Sequence, residues 1–291
     1  MTTKKTLLLG DIHCNYAAME DFIQAIMVEY NDSHRFDRII QVGDFGYYPD
    51  FVGEDNIFAY VGGFTRGFRE RDLPSLDLAD EMIFIRGNHE DHIALSKIND
   101  GQEVKDTYLG GWKFAPDGLL RDGILYAGGA WSIDGRARQE ARHYAPEHLK
   151  FLDQWYEEAE QISIRRMNET LEFAGDHRKD IEILITHDCN FNLLYSLVRA
   201  KLHKTRTGVF IDKLLADVIE PEYHFFGHHH KHLGMARHQN GVTKQILLNN
   251  IESVRVWHDP NLVDAYCDPS KGLEEDQKFE QINYNGWLYI L

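Results

Sequence analysis

Five short stretches carry residues whose types and spacing could hold metal ions. They are Gly10-Asp11-Ile12-His13, Gly43-Asp44, Gly87-Asn88-His89, Thr186-His187 and Gly227-His228-His229-His230. Together they offer oxygen and nitrogen donors. That mixture suits Mn²⁺, Fe or Zn²⁺ better than Ca²⁺, whose shells are built from oxygen. Asp11, His13, Asp44, Asn88, His187, His228 and His230 are too many ligands for one tetrahedral ion. They suit two ions that share a bridging carboxylate. His89 is left over, and an imidazole titrates near neutral pH. Each part has a plainer explanation when taken alone. Asp11 could cap the helix that follows it, and asparagine is an uncommon ligand.

The elements that must position these residues are buried strands. Thr6 to Leu9, Ile39 to Val42, Met82 to Ile85, Ile181 to Ile185 and Tyr223 to Phe226 are largely apolar runs, as expected of strands covered on both faces. Each leads into one of the polar stretches. In extended backbone, positions i and i+2 point the same way. Asp11 and His13 can therefore reach one ion, and so can His228 and His230, while His229 faces the other side. Tyr16 to Tyr30 reads as an amphipathic helix, with Met19, Phe22, Ile23, Ile26 and Met27 near helical spacing.

Ile124 to Ala127 is a further strand. It ends in Gly128-Gly129-Ala130-Trp131-Ser132-Ile133-Asp134-Gly135-Arg136, where small residues let the backbone pass close to something. Arg136 and Arg138 are candidates for holding substrate. Residues 138 to 174 are helical in pattern, and Trp155, Ile162, Met167, Leu171 and Phe173 form a stripe expected to pack in the core. Phe191 to Leu202 and Phe210 to Ile219 read as helices around the basic turn Lys201 to Arg206. That turn is expected to be a solvated loop rather than an anion grip. Gly234 to Arg237, Lys244 to Leu248, Val254 to Trp257 and Trp287 to Ile290 complete the chain as strands of a second, mostly antiparallel sheet. Residues 53 to 80 read as an irregular, charged excursion, with a solvated face favoured over a lid.

The chain has 291 residues, 43% hydrophobic and 12% aromatic content, and a formal charge of −16. It is long enough to bury a sizeable core. A surface this acidic repels a phosphate backbone and disfavours long nucleic acid as a partner. No apolar run reaches the roughly 18 residues of a membrane span. The apolar N-terminal run leads straight into Gly10-Asp11, so it reads as a strand and not as a signal peptide. Cys14, Cys189 and Cys267 are odd in number and widely spaced, which points to a reducing, cytoplasmic compartment. With no CxxC pair, a thiolate zinc site is not expected.

In order and spacing the motifs resemble the calcineurin-like metallophosphoesterases, whose pattern is DxH, GD, GNH(E/D), H and GHxH. Asp11-x-His13, Gly43-Asp44, Gly87-Asn88-His89-Glu90, His187 and Gly227-His228-x-His230 match all five parts. The resemblance implies a four-layer α/β/β/α sandwich, an α/β fold of two mixed sheets flanked by helices. The expected domain is single, residues 1–291, with helical insertions near 50–80 and 136–180. The resemblance also implies that Asp11, His13, Asp44 and His230 hold one divalent ion, that Asp44, Asn88, His187 and His228 hold a second, and that Asp44 bridges. Mn²⁺ is the first choice of metal. His89 would be catalytic, as a general acid or as a cation beside the leaving-group oxygen, while a hydroxide bridging the metals attacks phosphorus.

One departure bears on substrate. Phosphoprotein phosphatases of this superfamily carry GDxVDRG, whose arginine grips phosphate. Here the stretch is Gly43-Asp44-Phe45-Gly46-Tyr47-Tyr48-Pro49, without that aspartate or arginine. The expectation is therefore hydrolysis of a phosphodiester in a small, nucleotide-like substrate. Phosphomonoester or phosphoprotein hydrolysis is second, and a non-catalytic scaffold third.

Overall fold

The structure is a computed structural model that describes residues 5–29, 36–48, 78–98, 105–106, 111–132, 135, 157–198, 204–230, 233–251 and 288–290. The strands are β1 (Thr6–Leu9), β2 (Phe36–Gln41), β3 (Ala79–Phe84), β4 (Lys105–Asp106), β5 (Trp112–Phe114), β6 (Leu119–Arg121), β7 (Ile124–Ala127), β8 (Ile183–Thr186), β9 (Tyr223–Phe226), β10 (Leu233–Arg237), β11 (Lys244–Leu247) and β12 (Leu288–Ile290). The helices are α1 (Tyr16–Glu29), α2 (His92–Ile98), α3 (Glu157–Glu160), α4 (Ile164–Asp176), α5 (Phe191–Val198) and α6 (Arg206–Lys213). One sheet runs in the order β12-β1-β2-β3-β5-β4, the other β10-β11-β9-β8-β7-β6.

The central strands are largely apolar, and they sort their side chains between two cores because successive residues point to opposite faces. Leu7, Leu9, Ile39, Met82 and Phe84 pack outward with Tyr16, Met19, Phe22 and Ile23 of α1. Their neighbours Leu8, Ile40 and Ile83 turn inward to meet Ile124, Tyr126, Ile185, Phe225 and Ile246 of the other sheet. Leu125, Ala127 and Leu184 face outward again, onto Ala174 of α4 and onto Phe210 and Ile211 of α6. Helix, sheet, sheet and helix therefore form four layers, the α/β/β/α sandwich expected of the motif order. Away from the motifs, Arg38 of β2 ties the sheets by ion pairs to Glu81 and to Asp122 in the β6–β7 turn.

The second sheet departs from the sequence expectation. Its centre is parallel, with β7–β8, β8–β9 and β9–β11 all running the same way, and only β6 and β10 are antiparallel edges. Parallel neighbours need long crossovers. α3 with α4 supplies one between β7 and β8, and α5 with α6 supplies the next. β12 belongs not to this sheet but to the first, where Leu7 pairs with Ile290 and Leu9 with Leu288 across β1. The helix expected over Phe210 to Ile219 starts earlier, at Arg206. Thr205 caps it by accepting from Gly208 N, and it widens into a π-turn at Leu214–Val218.

The apolar stripe is partly as expected. Ile162 is buried, and Met167 and Leu171 lean on the outer core. Phe173 is instead 37% exposed and stacks on His177. Most of the excursion at 53 to 80, residues 136–156 with Arg136, Arg138 and Trp155, Lys201 to His203, and the strand expected at Val254 to Trp257 lie outside the described residues. Among the described residues no helix is long and apolar enough to cross a membrane.

Candidate functional site

Because β1, β2 and β3 are parallel neighbours, their C-terminal ends lie side by side and deliver Asp11, Asp44 and Asn88 to one edge. β8 and β9 do the same for His187 and for His228 and His230. The backbone there is strained. His13 (φ 46°), Asp44 (φ 55°), His228 (φ 70°) and His230 (φ 46°) all occupy the left-handed region that non-glycine residues avoid. Two motif glycines have a steric reason. A Cβ on Gly87 would collide with Asp44 Oδ1, and one on Gly227 with Asp11 Oδ1.

The donors form two groups, each able to hold a metal ion: Asp11, His13, Asp44 and His230, and then Asp44, His187 and His228. In the first, His13 Nε2 lies 2.9 Å from His230 Nε2, and His230 Nε2 lies 3.2 Å from Asp11 Oδ2. In the second, His187 Nε2 lies 3.3 Å from Asp44 Oδ2 and 3.2 Å from Asn88 Oδ1. Asp44 is common to both. Its Oδ1 accepts the backbone N–H groups of Asn88 and His89, each at 2.8 Å, which leaves Oδ2 facing the histidines. The Asp11 carboxylate accepts from His228 N at 3.0–3.1 Å and so ties the two sheets together at the site. His187 Nδ1 is 2.8 Å from the Val42 carbonyl and donates to it. That tautomer turns the Nε2 lone pair inward, as metal-binding imidazoles require.

The electrostatics fit a cation centre. Burial lowers His13 to about 4 and His228 to about 3, so both rings are neutral with a lone pair to give. Burial would lower His187 too, but Asp44, Asp11 and Glu90 outweigh it and push it up to about 10. Burial would raise Asp44, yet His187, His89 and His13 hold its carboxyl well below the usual range. Asp11 and Asp44 are essentially fully buried. Two buried carboxylates need compensating positive charge; without metal the raised His187 supplies part of it, and a divalent ion taking up its Nε2 would displace that proton.

His89 is buried at the rim. Its ring meets that of His13 edge-on, with centroids 5.0 Å apart. The loop after Asp44 packs inward. Phe45 stacks on Phe84 at 4.6 Å and touches Trp112 and Tyr16, and Tyr47 and Tyr48 are also buried.

Supporting residues that sequence reasoning missed surround this set. The Glu90 carboxylate accepts from Phe45 N, Gly46 N and Gly87 N, bracing two of the turns. Asn88 Nδ2 donates to Ser132 Oγ at 3.1 Å, and Ser132 N donates to buried Glu160. Arg86 pairs with Asp117 and donates to the Ala159 and Glu160 carbonyls. Ser132 closes the glycine-rich run after β7, whose small residues were the available signal. Gly128 there packs against the Arg86 backbone. Glu160 gave no signal, since it sits in a charged helical stretch.

A two-sheet sandwich that gathers these donors at its strand ends is the framework of a metal-dependent phosphoric ester hydrolase. The family model for calcineurin-like phosphoesterase matches residues 4–232, well over half the chain, and the chain belongs to that dinuclear-metal-dependent family. No curated protein matches it.

Proposed function

We propose that this enzyme hydrolyses a phosphodiester, in a small nucleotide-like substrate, at a centre of two divalent ions. The observation that carries the diester preference is the loop after Asp44. A phosphomonoester brings a dianionic phosphoryl group, which favours an added cation. Among the described residues the loop offers Phe45, Gly46, Tyr47 and Tyr48 and no cation, with its three aromatic residues buried in the core. A diester carries one negative charge and needs less.

In this reading Asp11, His13, Asp44 and His230 hold one ion, Asp44, Asn88, His187 and His228 hold the other, and Asp44 bridges them. Mn²⁺ is the first metal to test, since Fe and Zn²⁺ accept the same donors. When bound, the ions supply Lewis acidity and neutralise charge that builds on the phosphoryl oxygens. The neutral rings of His13 and His228 and the hydrogen bond from His187 to Val42 keep lone pairs directed inward. His89 stands beside His13 without belonging to either donor group. It protonates the leaving-group oxygen or stabilises its charge. The formal charge of −16 favours a small substrate over long nucleic acid.

The test compares a nitrophenyl phosphodiester with the matching monoester, on protein stripped of metal and refilled with Mn²⁺, with Asp44→Asn as control. Faster diester cleavage, lost in the control, supports the reading. Faster monoester cleavage replaces it with a phosphomonoesterase.

A further inference from the structure

His229 points away from the donor set that its neighbours His228 and His230 join, and it meets two other donors there. Its Nε2 lies 3.1 Å from Asp188 Oδ1 and 3.5 Å from Cys189 Sγ. We propose that Asp188, Cys189 and His229 form a separate Zn²⁺ site, distinct from the dinuclear centre.

Three observations carry it. The first is convergence. One oxygen, one nitrogen and one sulfur lie within 4.8 Å of one another. Both short contacts end on the same imidazole nitrogen. A single N–H can serve both only as a weaker, bifurcated bond, whereas an ion would satisfy all three donor atoms at once. The second is distance. Zn–S of about 2.3 Å and Zn–N or Zn–O near 2.0–2.1 Å at tetrahedral angles place sulfur about 3.5 Å and oxygen about 3.3 Å from the nitrogen. The two contacts here match those edges. The third is enclosure. Cys189 is fully buried and Asp188 2% exposed, and the His229 side chain is 3% exposed. A mixed set of thiolate, imidazole and carboxylate selects Zn²⁺ over the harder Mn²⁺.

The three ligands come from the ends of β8 and β9, so no CxxC spacing announces them. Three protein ligands leave a fourth position for water, and binding takes the proton from the Cys189 thiol. An ion here would clamp the turn carrying His187 to the turn carrying His228 and His230.

Cobalt makes the test specific, because only a thiolate ligand gives a sulfur-to-Co²⁺ charge-transfer band in the near ultraviolet. The full-length protein is stripped of metal, loaded with Co²⁺ and titrated with Zn²⁺. The expected result is that band, with one Co²⁺ per chain beyond those of the dinuclear centre, bleached by Zn²⁺. Cys189→Ser and His229→Asn should each lose the band and one equivalent of metal. Cys14→Ser and Cys267→Ser should keep both. Asp44→Asn, which strikes the dinuclear centre, should keep the band, so failure of one site is distinguishable from failure of the other. Fully loaded wild-type protein without the band overturns the proposal, even if a variant does not fold. Persistence of the band in Cys189→Ser overturns it as well, leaving the contacts as a hydrogen bond and a packing contact only.

Discussion

Asn88 donates from Nδ2 to Ser132 Oγ at 3.1 Å while its Oδ1 stands 3.2 Å from His187 Nε2. An amide has one oxygen and one nitrogen at the same reach, and only the oxygen can ligate a cation. With the amide nitrogen on the Ser132 hydroxyl, the oxygen is the atom that faces the centre. Glu160 in turn holds the Ser132 backbone, and Arg86 holds the Glu160 carbonyl. A chain of buried polar contacts thus runs from the outer helices to one side chain of the site.

Ser132→Ala should lower Mn²⁺ affinity at the Asp44, Asn88, His187 and His228 group by about 10–100-fold, the usual effect of removing a residue that orients a ligand. The Asp11, His13 and His230 side should change little. Competition with a chelator, read as two separate affinities, checks this. Equal affinities in variant and wild type would remove Ser132 from the positioning role.

His89→Ala should retain both metals and lose turnover by about 10²–10⁴-fold on a diester with a poor leaving group. The loss should shrink with nitrophenol, which departs without help. Unchanged activity on the poor leaving group would rule out the general-acid role.

Glu90→Ala would leave the N–H groups of Phe45, Gly46 and Gly87 short of their acceptor. Each unsatisfied buried donor costs about 1–3 kcal/mol. The variant should therefore lose at least about 3 kcal/mol in denaturant unfolding. Glu90→Gln keeps an acceptor oxygen and should lose less. A loss in Glu90→Ala within about 0.5 kcal/mol of wild type would contradict the brace, since changes of that size are ordinary at surface positions.

His224 is fully buried between Thr186 Oγ1 and Gln245 Nε2, and burial lowers it to about 3. The folded state keeps the ring neutral, whereas the unfolded chain protonates it near 6.5. Its contribution is present above pH 6.5 and is lost as pH falls towards 3, by about 1.4 kcal/mol per pH unit. Urea unfolding of wild type and His224→Gln at pH 7 and pH 5 measures the difference. Wild type should lose more stability than the variant on acidification, and parallel losses would contradict the assignment.

Much of the first layer of the site was legible because the signals are local. Apolar runs ending at Gly10-Asp11, Gly43-Asp44 and Gly87-Asn88 mark strand ends, and spacing of two separates His228 and His230 from His229. The glycines were legible as positions of close approach, but not what they approach. Only the structure reveals that a side chain at Gly87 would strike Asp44, or at Gly227 would strike Asp11.

The sequence by itself determined the ligand types, their order, and the strands that present them, because side-chain chemistry and a period of two are properties of a few adjacent residues. Tertiary structure alone decided which strands became neighbours and in which direction. It set β12 beside β1 and made the centre of the second sheet parallel. It also brought Ser132 to Asn88 and Cys189 to His229. These pairings join residues from 21 positions apart, Tyr223 and Lys244, to 283 apart, Leu7 and Ile290. They depend on how crossover helices pack, a choice set by the whole core, and no local spacing encodes it.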